Sequence, residues 1–364
     1  MNLAATLLFA ACTAATVNAR FTVTSGTTET NTNSSMNSAD YVRQWTINSA
    51  ASGDAVNSID LNLAGRVYVT HMSNMPTGVL GYVRVSGDSE EVVNAVEVSN
   101  DDAADQDNDS NDNDGELSVM ISTAASSSLS GYLLTEVLLA SSGIVSDIKS
   151  QRSADVVVLE SVLLTDNTNA ELQVEASGSS AVYVSAGTAE VSVRQLQLSA
   201  KNTARLQFNV QSVTATEDVT ADVEDSATLS LLSSSVMATT LEFQAQGTGT
   251  VCLSASTVTG TPNDFEGSGQ ISLPNAEDKH STTGTGSCEE VTIPSREPAC
   301  VSNDCPGASP SNTPSSSNPS TIASDDTPAA QEGVSTNVEA SSSPARSLAA
   351  LAAAVIAVAS AVLI

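Results

Sequence analysis

A five-residue pattern recurs along the chain: a small residue, then apolar residues at the third and fifth places. It reads Gly65-Arg-Val-Tyr-Val, Gly81-Tyr-Val-Arg-Val, Gly115-Glu-Leu-Ser-Val, Ala154-Asp-Val-Val-Val and Ala170-Glu-Leu-Gln-Val. It continues as Ala189-Glu-Val-Ser-Val, Ala204-Arg-Leu-Gln-Phe, Ala227-Thr-Leu-Ser-Leu, Gly249-Thr-Val-Cys-Leu and Gly269-Gln-Ile-Ser-Leu. Apolar side chains two residues apart fall on one face of a strand. From Ala154 onward the pattern restarts after 16, 19, 15, 23, 22 and 20 residues. Repetition near that period predicts an all-β chain coiled as a parallel β-solenoid, or β-helix, whose turns stack on a shared core. The same alternation occurs in half-buried sheets of other kinds, so a sandwich or barrel stays open.

The pattern divides the chain. Residues 20–40 are mostly Ser, Thr and Asn, and are expected to form an exposed polar arm. Residues 41–125 form a first β region, interrupted by an acidic loop over 100–115 that reads Asn100-Asp-Asp-Ala-Ala-Asp-Gln-Asp-Asn-Asp-Ser-Asn-Asp-Asn-Asp-Gly115. Residues 126–275 carry the densest repeats, and no proline lies between Pro76 and Pro262, as continuous ladders require. Residues 276–340 hold the mature cysteines after Cys252 and then a disordered, low-complexity Ser/Thr/Pro stalk of mucin-like composition, read as O-glycosylated. Trp45, the one tryptophan, reads as a core plug rather than a ligand platform.

Both ends carry processing signals. The apolar run after Met1 leads to Val17-Asn18-Ala19, a small-x-small cleavage site, so residues 1–19 read as a secretory signal peptide. Leu348 to Ile364 is an apolar tail behind a small, polar stretch, the pattern of a glycosylphosphatidylinositol (GPI) attachment signal over 341–364. Asn337, Ala340 and Ser341 are the candidate attachment residues. The expected address is therefore secreted, at the outer face of the plasma membrane or the cell wall, touching the membrane only through a lipid. Sequons place N-glycosylation at Asn33 and Asn108.

Composition narrows the partners. There are 42 acidic and 12 basic residues, a formal charge of −30, which repels nucleic acid and anionic lipid. Aromatics are 3 %, so Val, Leu, Ile and Ala must fill the core, as narrow coil interiors allow. Once the signal peptide is removed, Cys252, Cys288, Cys300 and Cys305 remain, an even number that in a secreted chain implies disulfides. The favoured pairing is Cys252–Cys288 with Cys300–Cys305, which clips the irregular segment onto the last strands. Their spacings match no zinc motif.

The Gly81-Tyr-Val-Arg-Val-Ser-Gly-Asp88 segment, the strand after Asp114-Gly115 and the repeats from Ala154 to Leu253 resemble the auto-transporter adhesin head domain, or GIN, family. The likeness spans roughly residues 41–275. Here Ser, Thr and Asn replace some of the family's turn glycines, and the acidic loop is an insertion. The resemblance implies a right-handed parallel solenoid and an adhesin-like surface role, and carries over no catalytic residue.

Candidate chemistry is sparse. An EF-hand register with Gly115 at its sixth place puts Ser110 first and Ile121 twelfth, so the acidic loop lacks both end ligands and reads as a solvated charge run. No Gly-His-Gly with Arg-x-Lys, Gly-x-Ser-x-Gly or His-Glu-x-x-His motif is present, and His71 and His280 assemble no triad with conviction. Lys149 and Arg152 are expected to neighbour one another at a turn in a surface role. No metal, cofactor or catalytic residue is assigned. The expected function is non-catalytic binding of extracellular glycan, matrix or cell-surface protein, with a glycan-active β-helix hydrolase or lyase and a passive coat as rivals.

Overall fold

The computed structural model describes residues 21–32, 36–100, 115–122, 129–288, 290–302 and 305. Five strands come first: β1 (Phe21–Ser25), β2 (Glu29–Thr30), β3 (Tyr41–Ser49), β4 (Ser58–His71) and β5 (Val79–Gly87). A short helix α1 (Glu90–Asn94) leads to β6 (Val96–Asn100), β7 (Glu116–Ile121) and β8 (Tyr132–Leu139). The coils continue through β9 (Asp147–Leu159), β10 (Asp166–Ala176), β11 (Ala181–Ala200), β12 (Arg205–Ala215), β13 (Asp218–Val223) and β14 (Thr228–Leu232). They end with β15 (Ser235–Ala245), β16 (Thr250–Ser254), β17 (Thr257–Glu266) and β18 (Ile271–Ser272), and β19 (Ala299–Cys300) follows.

These strands make a parallel β-solenoid of about five turns. Each turn crosses three faces. The second face shows the repeat most clearly: Asp155 sits beside Ala181, Ala181 beside Arg205, Arg205 beside Thr228, Thr228 beside Thr250, and Val251 beside Ile271. One coil therefore takes 26, 24, 23, 22 and then 20 residues. The shorter steps of 15 to 19 seen in the sequence are walks from one face to the next. Ala170 leads into the first face, Ala189 into the third and Ala204 into the second.

Period-2 alternation puts one apolar column of each face inward. On the second face the column is Val67, Val156, Val182, Leu206, Leu229, Val251 and Ile271. On the first face it ends in Phe243 and Phe265, stacked with ring centroids 5.0 Å apart. Both columns belong to one continuous core. A core filled largely by aliphatic side chains suits a narrow coil, where each rung meets only its neighbours.

The corner between the first and second faces is a stacked backbone motif. Arg152, Gly178, Asn202, Asp225, Gly247 and Gly267 occupy it in successive coils, all with φ between 61° and 70°. That left-handed conformation costs Gly nothing and Asn or Asp little, and turns the chain in one residue. Each corner carbonyl accepts the N–H of the residue after the next corner: Arg152 from Ser179, Gly178 from Thr203, Asn202 from Ser226 and Asp225 from Thr248. The hydroxyls of Ser179, Thr203, Ser226 and Thr248 donate to the same four carbonyls at 3.0–3.3 Å. Amides add to the stack: Gly178 N–H donates to Asn202 Oδ1 at 3.2 Å, and Asn202 Nδ2 to Asp225 Oδ2 at 3.0 Å.

The order of coils departs from the order of the chain. β4 pairs in parallel with β9 over Ser58–Val69, and on its other edge with β7 and β8. The later strands β7 and β8 thus lie outside the earlier β4, and the sheet runs unbroken across the boundary expected at 125–126. The Gly81 repeat is not a coil: β5 runs antiparallel to both β3 and β8. With β1 on β3 and β6 on β7, antiparallel strands cover this end of the stack. The exposed arm expected over 20–40 is in part structured, because β1 and β2 pair with β3 and Phe21 is 3 % exposed in the core. Trp45 is likewise 3 % exposed, under the Arg43 guanidinium at 4.5 Å. At the other end Pro262 and Gly260 break up β17, the devices that blunt an exposed sheet edge.

The corner stack generates a test. Asn202→Val places a β-branched residue at φ 63° and removes both amide bonds. It should lower unfolding free energy by about 1–3 kcal/mol, and Asn202→Gly, which keeps the backbone, by about 1 kcal/mol. Urea titrations followed by circular dichroism read both; equal losses would show that backbone conformation is not the constraint.

Candidate functional site

The second face points two side-chain columns outward. One runs Arg66, Asp155, Ala181, Arg205, Thr228 and Thr250; the other runs Tyr68, Val157, Tyr183, Gln207, Ser230, Cys252 and Ser272. After the last coil the chain turns back and crosses this face as a strap, toward the opposite end of the solenoid. Gly284 N–H donates to Ile271 O at 3.0 Å and Gly286 N–H to Ser272 Oγ at 2.8 Å. Cys288 is bonded to Cys252. Asn209 Nδ2 then donates to the Glu290 carboxylate at 2.8 Å, while Val291 N–H donates to Gln207 Oε1 at 2.7 Å and its carbonyl accepts from Gln207 Nε2 at 3.4 Å.

Farther on, the Tyr68 hydroxyl donates to Pro294 O, and Arg66 to Ser295 O at 2.7 Å. Ile293 packs against the small cluster of Tyr68, Leu134 and Val157. Arg296 pairs with Glu136, a carboxylate only 3 % exposed. Finally β19 pairs antiparallel with β8, and Cys300 is bonded to Cys305. Burial pushes the Tyr68 phenol up, and the nearby Arg66 and Arg296 partly offset it.

Where the strap leaves the last coils, a cleft of about 450 Å³ opens between Thr285–Ser287 and the second face. Its polar lining is Thr228, Ser230, Thr250, Gln270 and Ser272, with Cys252 among them on the floor and Thr285, Gly286 and Ser287 on the strap side. No charged or aromatic side chain lines it among the described residues. Its hydroxyls differ from those of the corner. Thr228, Ser230 and Thr250 make no side-chain hydrogen bond among the described residues, whereas each corner hydroxyl is tied to a carbonyl. Unpartnered hydroxyls repeated at the coil spacing of about 4.8 Å form an array of donors and acceptors.

The outward side of the first face is different again. A ladder there runs Asp60, Lys149, Glu175, Ser199, Asp222, Gln244 and Glu266. Asp222 is pushed above its ordinary 3.8, chiefly by burial and then by the Glu224 charge. Burial alone would lower Lys149, but its hydrogen bond and ion pair with Asp147 at 2.9 Å leave it raised. Coil-to-coil ion pairs join Arg194 to Glu171 and Glu217, and Lys201 to Glu224. Among the described residues no three His, Cys, Asp or Glu side chains are grouped to hold a metal ion.

The remaining sequence-level residues are placed as follows. Arg152 occupies a left-handed corner and donates to Ile121 O at 3.5 Å. His280 caps the far end, edge-on to Phe265, with Nε2 3.3 Å from Val258 O. His71 ends β4. Residues 1–19, Asn33, the acidic loop over 101–114, Asn108, Asn337, Ala340 and Ser341 lie outside the described residues. Sequence reasoning passed over Thr228, Ser230, Thr250 and Gln207, because outward polar positions in a strand all look alike. The signal that could have separated them is the three-residue corner, Gly/Asn/Asp then Ser/Thr then Ala/Gly/Ser, which fixes the register of each coil after the Arg152 corner.

Neither a protein-family model nor a curated protein matches the chain. A crystal structure of a "putative adhesin" from Parabacteroides distasonis ATCC 8503 is similar over 65 % of this chain and 95 % of its own, at 13 % identity and a TM-score of 0.30. A likeness that low passes neither fold nor function across, and the GIN resemblance rests on the sequence motifs.

Two outcomes follow from this geometry. Gln207→Ala removes both bonds to Val291, and should lower stability by about 1–2 kcal/mol while speeding amide exchange at Val291 and sparing the coil amides. A raised carboxyl in the folded state binds protons that the unfolded chain has released, so stability falls as pH rises through the window above 3.8. Asp222→Asn should therefore raise stability at neutral pH and flatten that slope in denaturant titrations; a steeper slope would refute the assignment.

Proposed function

We propose that this is a secreted, lipid-anchored surface protein that binds extracellular glycan, non-catalytically and in an adhesin-like manner, through the cleft beside its strap. The observation that carries the reading is the set of unpartnered hydroxyls of Thr228 and Ser230 on one coil, and of Thr250 beside Thr228 on the next, in a cleft of about 450 Å³. Hydroxyls and amides offer a sugar many individually weak bonds, each worth about 0.5–1.5 kcal/mol net, and repetition on a surface adds avidity. The lining lacks an aromatic platform, so the affinity of a single site is low. It also lacks a carboxylate or imidazole to act as general acid or base, which favours binding over turnover.

Export and anchoring belong to the same proposal. They are supported by the Ala19 cleavage pattern, the tail from Leu348 to Ile364 and two disulfides of the kind an oxidising compartment maintains. Phosphatidylinositol-specific phospholipase should release the protein from expressing cells; retention beside a released control would refute the anchor. The released protein, applied to an array of cell-wall and matrix glycans, should give saturable binding to one polymer class. A blank array would leave a protein partner or a coat role.

A further inference from the structure

We propose that the cleft takes a short, uncharged oligosaccharide laid along the solenoid axis, against a wall that the Cys252–Cys288 bond positions; this rests on the glycan-binding reading. Charge selects the ligand. In a chain with 42 acids, no acid or base among the described residues lines this cleft. A cationic sugar would find no counter-charge there and an acidic ladder on the first face instead. An anionic one would meet the field of a −30 chain without a cation in the lining. A charge brought in unpaired loses its water for nothing, whereas an uncharged sugar exchanges water hydrogen bonds for those of the Thr228 and Thr250 hydroxyls and of Gln270 Oε1, the Gln270 Nε2 being bonded to the Gly247 and Gly249 carbonyls.

Direction and length follow from register. Thr228 and Thr250 lie side by side on adjacent coils, and the cleft continues past them to Gln270 on the last one. Three coils at about 4.8 Å span roughly 10 Å, the length of a disaccharide or trisaccharide lying across the strands. The array ends on the next coil, where Arg205 sits beside Thr228 and Gln207 is already bonded to Val291. The opposing wall, Thr285–Ser287, is exposed and belongs to no strand. Gly284 N–H donates to Ile271 O and Gly286 N–H to Ser272 Oγ, and Cys288, the next residue but one after Gly286, is bonded to Cys252 in the middle of the cleft floor. Cys252 and Cys288 are thus positioning residues: Cys252 sits in the β16 ladder and its bond to Cys288 holds the wall over the hydroxyls.

The test is calorimetric titration of the full exported chain with neutral oligosaccharides of one to six units from the polymer class that the array returns, and with carboxylated and amino analogues of equal length. Affinity should rise to three units and then level off, with charged analogues at least fivefold weaker. Thr250→Val, which removes one hydroxyl at constant shape, should weaken binding about fivefold. The double variant Cys252→Ala, Cys288→Ala should lose tenfold or more while its circular dichroism spectrum keeps the strand signal, and amide exchange at Gly286 should quicken. A charged analogue binding best, affinity still climbing at six units, or Thr250→Val binding as wild type would overturn the inference while leaving glycan binding on another face. No binding to any glycan would overturn both readings. Unchanged Gly286 exchange in the double variant, or in Cys288→Ala where the double variant does not fold, would overturn the role of the disulfide.

Discussion

Every coil must return to its starting register one strand spacing higher, and the fold depends on how the backbone does this at the corner. A parallel ladder that stopped at each bend would leave N–H and C=O groups unpaired in every turn. The left-handed residue solves the problem locally. Its carbonyl points along the solenoid axis and accepts the amide of the next coil, so the ladder of the first face passes into that of the second: Ala176 O takes Lys201 N–H, Gly178 O takes Thr203 N–H, and Ser180 O takes Arg205 N–H. Six residues of four types share this conformation, which shows that the requirement is one of backbone shape rather than chemistry. The Ser and Thr beside them add a second donor to the same carbonyls, so those hydroxyls are structural.

That division of labour separates structure from candidate site. Hydroxyls abound on the surface, but those of the corner are committed to the stack, and those of Thr228, Ser230 and Thr250 in the cleft are not. The strap sharpens the difference. Across the middle coils it ties down the outward polar groups of the second face one by one, Gln207 and Asn209 through side-chain bonds and Tyr68 and Arg66 through carbonyls. Where it leaves the last coils, Thr228, Ser230 and Thr250 carry hydroxyls without such a bond. The cleft is the part of the face that the strap does not occupy.

Much of the fold was legible in the sequence for a physical reason: the alternation is imposed by the inward columns, and Ala154, Ala204, Ala227, Gly249 and Gly269 mark the entry to the second face in five coils. The coil period was not legible, because the same small-x-apolar-x-apolar pattern also opens the first face at Ala170 and the third at Ala189. The place of β4 was not legible either. Arg66 beside Asp155 joins residues 89 apart in the chain, and nothing local distinguishes a strand that waits for such a partner from one that pairs with its successor. The cysteines were readable as disulfides from their number. Their use was hidden, because the strap has no periodicity and its grip comes from single side chains such as Gln207 and Glu136.

Charge gives the last step. A surplus of acids on a stacked sheet sets like charges one strand spacing apart, and the chain accommodates this in two ways. Some columns alternate sign across coils, as Arg194 does between Glu171 and Glu217 and Lys201 beside Glu224. Others interpose neutral residues, as Ser199 and Gln244 do on either side of Asp222, whose carboxyl is still pushed up by burial and by Glu224. The cleft, which among the described residues is lined by neither acids nor bases, carries the second scheme furthest: neutral Thr228 and Thr250 follow Arg205 in their column. That neutrality is the property on which the proposed preference for an uncharged ligand rests.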